Sequence, residues 1–158
     1  MKRFFAGQQG YDDEVAGFQT AFAHRPRVVV AAKSPEDVVA AVRHAERHGL
    51  RVTVQATGHG ARVPADGVLI STRRMTGVRI DAGARTAWVG AGATWAQVVT
   101  ATAAAHGLAP LCPSSTAVGV AGYTLGGGMG PLGRPHGFAA AVQQAVDPDG
   151  MFARTPLP

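Results

Sequence analysis

The sequence predicts an α+β domain in which a small β-α-β unit is followed by a second, mixed β/α part. Two apolar runs, 27–32 and 51–56, flank an amphipathic stretch at 34–49, which is the pattern of a strand, a crossover helix and a parallel strand. Further short apolar runs follow, together with one more helical stretch at 94–107. With 158 residues, 46% of them hydrophobic, the chain can bury one core but is short for two domains.

The first helix is predicted from the residues at its ends. Ser34 occupies the N-cap position, and Pro35 occupies the first helical position. Asp37 stands at the capping-box place, and Gly49 supplies the C-cap. The apolar side chains that recur on one face, and are expected to face the core, are Val38, Val39, Val42 and Ala45.

The second part is predicted from shorter patterns. Its elements, in order, are a strand at 67–71, a hairpin with strands near 78–81 and 86–90, and a helix at 94–107. Thr94 caps this helix, with Gln97 at the capping-box place, and Gly107 ends it. A glycine-rich segment at 109–138 follows, and a last short strand is expected near 143–147.

The chain is accordingly divided into four stretches. These are an N-terminal helical segment at 1–24 with a helix around 13–22, two subdomains at about 25–60 and 61–150, and a tail at 151–158.

The net charge of +5 comes from 13 arginines and two lysines that are scattered along the chain. A nucleic-acid site would gather them in a basic stripe with aromatic side chains, so no nucleic-acid partner is expected, although the charge suits an anionic ligand such as a pyrophosphate. No signal peptide and no membrane-spanning run is visible, and no membrane partner is expected. The single cysteine, Cys112, fits a reducing compartment, so the expected location is cytoplasmic.

Two patterns suggest sites that the rest of the sequence does not support. His44 and His48 have a helical spacing that can bind a metal, but Glu46 is one place out of the H-E-x-x-H register, so no metal site is expected. The stretch "GAGATW" (90–95) follows a strand and opens a helix, as a dinucleotide-binding fingerprint does. Trp95 replaces the third glycine, and no acidic residue follows about 20 positions on. The stretch therefore predicts a tight strand-to-helix turn.

Two glycine-rich stretches predict a close approach to a ligand. In "TGHG" (57–60) a histidine stands between Gly58 and Gly60, just past the end of a strand, with little side-chain bulk beside it. In "VGVAGYTLGGGMG" (118–130) apolar residues alternate with glycines, which favours a close-packed turn and short helix over a flexible linker. The N–H groups of such a segment could cradle phosphate oxygens.

An ordered set of stretches resembles a known family. They are "SPEDVVAAVRHAERHGLRVTVQATGHG", "ADGVLISTRRM", "AWVGAGATWAQVV", "HGLAP" and "STAVGVAGYTLGGGMGPLGR". Together they resemble the PCMH-type FAD-binding domain of the vanillyl-alcohol oxidase superfamily, nearest to the berberine bridge enzyme-like oxidoreductases. The resemblance runs from about Arg25 to about Gly150, so 25–150 is expected to be this domain.

The resemblance implies a site for FAD. A first loop would wrap the pyrophosphate with backbone amides, and the His59 imidazole would be bonded covalently to the 8α-methyl carbon of the flavin. The implied cofactor-binding residues of this loop are Gln55, Ala56, Thr57, Gly58, His59, Gly60 and Ala61. Those of a second wall are Ser114, Ser115, Thr116, Val118, Gly119, Gly122 and Tyr123. Gly126, Gly127 and Gly128 would turn the chain beneath the flavin, and Val146 would contact the adenine side.

The sequence departs from the family pattern at both loops. The family's first loop often reads Arg-Gly-Gly-Gly-His-Ser, and the residues that differ here are Gln55, Ala56, Thr57 and Gly60. The missing arginine removes a possible charged contact. Some members also attach flavin through a cysteine, but that place is Ser115 here and Cys112 lies three residues too early. Attachment is therefore expected through His59 only, with Cys112 as a loop or core thiol.

The implied activity is that of a flavin-dependent oxidoreductase, in which a substrate hydride passes to FAD and dioxygen or another acceptor reoxidises it. In such enzymes a large substrate-binding domain covers the flavin and supplies the catalytic base, whereas this sequence ends at Pro158 and offers no credible catalytic residue. A second polypeptide that supplies the substrate domain, or self-association through the uncovered face, is therefore expected. Two alternatives stay open: a truncated, non-catalytic flavin-binding module or gene relic, and a structural α/β domain that has lost flavin.

Overall fold

The computed structural model describes residues 1–61 and 63–131. The strands are β1 (Lys2–Phe4), β2 (Val28–Ala31), β3 (Val52–Gln55), β4 (Val68–Ser71), β5 (Val78–Asp81) and β6 (Thr86–Val89). The helices are α1 (Tyr11–Val15), α2 (Pro35–Arg47), α3 (Trp95–His106) and α4 (Val120–Leu125). The predicted strand near 143–147, with Val146, and the tail at 151–158 lie outside the described residues.

The first part is a four-stranded sheet in the order β1-β2-β4-β3. The strands β2 and β3 run parallel, as the β-α-β pattern predicts, but β4 lies between them and Val68 is in register with both Val28 and Val52. The strand expected to open the second part is therefore a central strand of the first sheet. All four residues of β4 are buried, because a parallel strand that is covered on both faces needs apolar side chains on both.

The two faces of this sheet hold separate apolar clusters. Helix α2 covers one face, and the residues of that cluster are Val28, Val30, Ala32, Ala41, Ala45, Val68 and Ile70. The other face carries Phe4, Tyr11, Val29, Ala31, Ala65 and Leu69. The expectation for Val39 is wrong: its side chain is 48% exposed, and Ala41 contributes to the core instead. Val38, Val42 and Ala45 form the stripe of the helix surface that faces the core, and Val39 lies to one side of this stripe.

The ends of α2 follow the sequence signals with one change. Ser34 is the N-cap and Pro35 begins the helix, but the Ser34 side chain makes no capping hydrogen bond. The Asp37 carboxylate instead accepts a hydrogen bond from the backbone N–H of Lys33, with an N···O distance of 3.0 Å. After the last helical turn, Gly49 adopts a left-handed φ of 59°, which is the conformation that ends helices and that glycine adopts without strain.

The N-terminal segment differs from its prediction. The helix expected around 13–22 is the single turn α1, and the helical segment 1–24 also contains β1, which pairs antiparallel with β2. The helix stops at Ala16, whose ψ of 137° is extended. At this end the Gln55 side-chain amide donates to the carbonyls of Val15 and Ala16, at 3.1 and 3.2 Å, and so binds carbonyls that have no partner within the helix.

The second part contains the hairpin β5–β6 and the helices α3 and α4. The residues of its core are Trp95, Val98 and Val120, with Cys112 among the partly buried residues that pack against them. The capping-box prediction for α3 is confirmed, since Gln97 Oε1 accepts a hydrogen bond of 2.9 Å from the Thr94 N–H. The predicted α+β class is confirmed. Within 1–61 and 63–131, no helix has the length and apolar character needed to cross a membrane.

Candidate functional site

The loop after β3 begins at a buried side chain. Gln55 is the last residue of β3, and its amide ties the loop to the end of α1. The next stretch of the N-terminal segment then follows the loop closely, since Phe18 N–H donates to the Thr57 carbonyl at 2.9 Å and Gln19 N–H donates to the Gly58 carbonyl at 3.3 Å. The loop 55–61 is thus held from one side by residues 15–19.

Gly58 is required by this close approach. Its φ is 78°, and a Cβ at this position would lie 2.8 Å from the Gly17 Cα. The space that Gly58 leaves is therefore filled by the N-terminal segment, whereas a Cβ at Gly60 would meet nothing within 4 Å. Of the two glycines that flank His59, Gly60 is the one with open space beside it.

Among the described residues, Phe18 and Thr57 contact the His59 side chain. Its ring stacks on the Phe18 ring, with centroids 3.9 Å apart and planes inclined by 10°. Its Nδ1 lies 2.9 Å from Thr57 Oγ1, which is hydrogen-bonding distance. The imidazole is half-buried and oriented by groups from two segments of the chain.

The second predicted wall lies beside this loop at Gly119. The Gly119 N–H donates to Thr57 Oγ1 at 3.3 Å, and a Cβ on Gly119 would come within 3.5 Å of both Thr57 Oγ1 and Ala56 Cβ. The loop that contains Ser114, Ser115 and Thr116 is fixed to the start of α3 by two hydrogen bonds, which Trp95 and Ala96 N–H groups donate to the carbonyls of Val118 and Thr116. Ser114, Ser115 and Thr116 are exposed in this loop.

The glycines after α4 turn the chain back onto the second core. Gly127 has a left-handed φ of 74°, and a Cβ on Gly128 would lie 2.3 Å from the Tyr123 ring. The Tyr123 ring in turn contacts Trp95 edge-on, with centroids 5.5 Å apart. Gly122 is exposed on α4 with nothing within 4 Å of a Cβ, whereas Tyr123 packs into the core.

A cleft of about 570 Å³ lies between the two parts of the molecule. The residues that line it are Ala16, Gly17, Phe18, Ala56, Thr57, Arg73, Thr76, Gly92, Thr94 and Gln97. Of these, only Ala56 and Thr57 were predicted as site residues. The lining comes from four stretches that are far apart in the sequence, 16–18, 56–57, 73–76 and 92–97, so no local motif marks it.

Arg73 places a positive charge at this cleft. Its Nε donates to the Ala56 carbonyl at 3.0 Å, and its Nη1 donates to the Asp13 carbonyl at 2.8 Å. The family's loop often has an arginine where this chain has Gln55. Arg73 brings a guanidinium to the same loop from the segment that follows β4.

Two features suit a dinucleotide, one in the loop beside the cleft and one in the lining of the cleft. Within the described part of the chain, the backbone N–H groups of Gly58, His59 and Gly60 donate to no acceptor, so these three groups are available to phosphate oxygens. Arg73 adds a cation that suits a diphosphate. The residues present therefore fit a flavin dinucleotide, with a histidine beside the cleft.

The fold and site define a class, the FAD-binding domains of flavin oxidoreductases. A family model described as an FAD binding domain matches residues 26–155. Aclacinomycin-N/aclacinomycin-A oxidase of Streptomyces galilaeus is 37% identical over 145 residues, which cover 87% of this chain and 26% of that protein. Berberine bridge enzyme-like D-1 of Nicotiana tabacum is 35% identical over 127 residues, 73% of this chain and 22% of that protein.

The solved structures agree with the sequence matches. The crystal structure of 6-hydroxy-D-nicotine oxidase from Arthrobacter nicotinovorans matches with a TM-score of 0.75 and 28% identity, over 82% of this chain and 29% of that one. The chain belongs to the FAD binding domain family, and its relatives are berberine bridge enzyme-like and FAD-linked oxidoreductases. It spans about a quarter of the length of the curated relatives it matches.

Proposed function

We propose that this chain holds FAD in the cleft between its two parts and attaches it covalently through His59. The observation that carries the proposal is the position of the His59 imidazole, which contacts two side chains that line the cleft, Phe18 and Thr57. A histidine that is half-buried, oriented and beside a cleft is available for bonding to a ligand in that cleft.

The chain's own groups have separable roles in this proposal. The N–H groups of Gly58, His59 and Gly60 and the Arg73 guanidinium bind the diphosphate, while Gly119 lets the second loop pack against Ala56 and Thr57. When bound, FAD supplies a two-electron acceptor for the hydride of a small-molecule substrate, and dioxygen or another acceptor takes the electrons afterwards.

The covalent attachment joins an imidazole nitrogen of His59 to the 8α carbon of the flavin. One hydrogen leaves that methyl carbon and one proton leaves the imidazole nitrogen, so forming the bond releases two electrons and two protons. Dioxygen is the oxidant that we assign to this step. It accepts both electrons and both protons and leaves as hydrogen peroxide.

Binding of flavin without turnover is the second candidate function. Among the described residues that line the cleft there is no carboxylate and no imidazole, so the lining offers no group suited to take a proton from a substrate. We propose that, for turnover, this group comes from a second polypeptide or from a second copy of the chain.

The segment around α4 has exposed apolar side chains, which supports association through this side. These side chains are Leu111, Leu125 and Met129. Light scattering that reports only the 16.2 kDa monomer would count against association.

A cytoplasmic location completes the proposal. The single cysteine of the chain, Cys112, is a free thiol packed against the second core, which suits a reducing compartment. Fractionation of cells that make the protein tests this directly, and recovery in the extracellular fraction would contradict it.

The test of the flavin proposal is covalent attachment. Protein produced with FAD is precipitated with acid, and the visible spectra of the pellet and supernatant are compared. We expect flavin absorption to stay with the wild-type pellet and to move to the supernatant for His59→Ala. His106→Ala, which removes an exposed histidine at the end of α3, is the matched control and is expected to behave like the wild type. Flavin that stays with the His59→Ala pellet would contradict the assignment, and a colourless protein would contradict FAD binding itself.

A further inference from the structure

We infer that Phe18 and Thr57 are positioning residues that together hold the His59 imidazole in the orientation from which it is attached to the cofactor. This inference rests on the proposed function, since it concerns how the same histidine is prepared for its reaction. Neither residue is expected to react itself.

The contact with Phe18 fixes the plane of the imidazole. The two rings are 3.9 Å apart and within 10° of parallel, so the histidine cannot tilt without losing the stack. Phe18 is 70% exposed, and its ring therefore contributes little to the hydrophobic core. A large aromatic side chain that is left in solvent and stacked on a histidine is better explained by that histidine than by packing.

The contact with Thr57 fixes the rotation of the imidazole within that plane. The Thr57 hydroxyl lies 2.9 Å from Nδ1, so the ring cannot flip by half a turn and keep this hydrogen bond. The same oxygen accepts the Gly119 N–H at 3.3 Å. A hydroxyl has one hydrogen and two lone pairs, so it can serve Gly119 and the imidazole at once. Thr57 thereby connects His59 to the second loop of the cleft.

The two contacts together account for both torsions of the histidine side chain. A histidine side chain has two rotatable bonds. The Phe18 stack sets the plane of the ring and the Thr57 hydrogen bond sets its direction within that plane, so together they determine both torsion angles. Holding a reacting group in place before reaction removes orientational entropy from the barrier. Thr57 stands where the resembling loops often have glycine, so the hydroxyl contact distinguishes this chain from such loops.

The experiment follows the rate of covalent attachment at saturating FAD, so that changes in affinity do not affect the comparison. Thr57→Val keeps the side-chain shape without the hydroxyl, and Thr57→Ser restores the hydroxyl. Phe18→Leu removes the ring, and Phe18→Tyr restores it. Samples that are acid-quenched over time give the attached fraction, and thermal unfolding followed by circular dichroism confirms that each variant is folded. We expect Thr57→Val and Phe18→Leu to slow attachment by roughly tenfold or more, and Thr57→Ser and Phe18→Tyr to recover most of the rate.

A second readout requires no flavin. Because His59 lies over the face of Phe18, the ring current should move its imidazole proton resonances upfield in the wild-type protein, and Phe18→Leu should abolish this shift. Attachment at the wild-type rate in Thr57→Val, an equally slow Thr57→Ser, or an unshifted His59 resonance would each overturn this inference alone. A wild-type protein that binds FAD without attaching it would overturn both this inference and the covalent part of the proposed function.

Discussion

At the scale of single residues, the carboxylate of Glu14 shows how burial and charge oppose each other in this molecule. Its side chain is 6% exposed and pairs with Arg74, which follows β4. Burial raises the pKa of the Glu14 carboxyl, but the hydrogen bonds from Arg74 and Ser71, together with the positive charges of Arg74 and Arg73, outweigh burial and hold this pKa below its ordinary value of 4.5. The pair joins the N-terminal segment to the sheet, so its protonation state should matter to stability.

The sign of the pH effect follows from this lowered pKa. The unfolded carboxyl takes up its proton at a higher pH than the folded one, so the stabilisation is fully present above the unfolded pKa and is lost as the pH falls through the folded pKa. We expect the free energy of unfolding to fall between about pH 5 and about pH 3, and to fall less steeply in Glu14→Gln. Urea unfolding across this range measures the slope. Asp66→Asn, in the exposed pair with Arg51, is the matched control and should change the slope less, because solvent screens that pair. Equal slopes in Glu14→Gln and wild type would contradict the assignment.

Single residues also mark the limit of what the sequence predicts about the site. His59 could be identified because its signal is local: a histidine between two glycines at the end of a strand. Arg73 could not, since it is one of 13 scattered arginines and its two acceptors are 17 and 60 residues away. Phe18 and the lining residue Gly17 were missed for the same reason. They reach the site because the N-terminal segment runs alongside the loop 55–61. A long-range contact of this kind leaves no periodic pattern in the sequence.

At the scale of elements, the sequence predicts whether a segment is a helix or a strand better than it predicts which elements lie beside that segment in the fold. Capping residues and turn glycines identify α2, α3 and the hairpin β5–β6, because the signals lie within each element. The insertion of β4 between β2 and β3 could not be predicted in this way. Strand order depends on which edge the returning chain reaches, and this is decided by long-range packing.

The turn from β6 into α3 gives a prediction at this scale. The stretch 90–95 is a tight turn, as predicted, and the structure adds the reason: a Cβ on Gly92 would lie 1.9 Å from the Thr72 carbonyl oxygen. Gly92→Ala must displace backbone between the two parts, and we expect it to lower the free energy of unfolding by about 1–3 kcal/mol. Gly83→Ala in the hairpin is the control, since its Cβ would meet only Asp81 Oδ1, at 3.5 Å. Urea unfolding compares the two, and similar stabilities would contradict the turn geometry.

At the scale of the whole molecule, the described chain has separate cores on either side of one cleft. The sheet carries clusters on both of its faces, and the Trp95 cluster forms the core of the second part. Hydrogen bonds link the two parts, such as those from Thr72 Oγ1 to the Ala91 carbonyl at 3.2 Å and from the Gly119 N–H to Thr57 Oγ1 at 3.3 Å. A ligand that contacts both walls of the cleft would add interactions between the two parts and so raise the free energy of unfolding.

This arrangement predicts how FAD changes stability. In the His59→Ala background, where binding is reversible, a free FAD concentration of about 100 times Kd should raise the free energy of unfolding by about 2.7 kcal/mol. Far-UV circular dichroism reports the whole chain, whereas both tryptophans, Trp88 and Trp95, report the second part. Because FAD is proposed to contact both walls, both probes should move to higher denaturant together. Adding Arg73→Gln should reduce this shift, and adding Arg79→Gln, in the hairpin beside Trp88, should leave it unchanged. If the tryptophan signal stayed in place while the circular dichroism transition moved, FAD would be held by the first part alone and the cleft would not be its site.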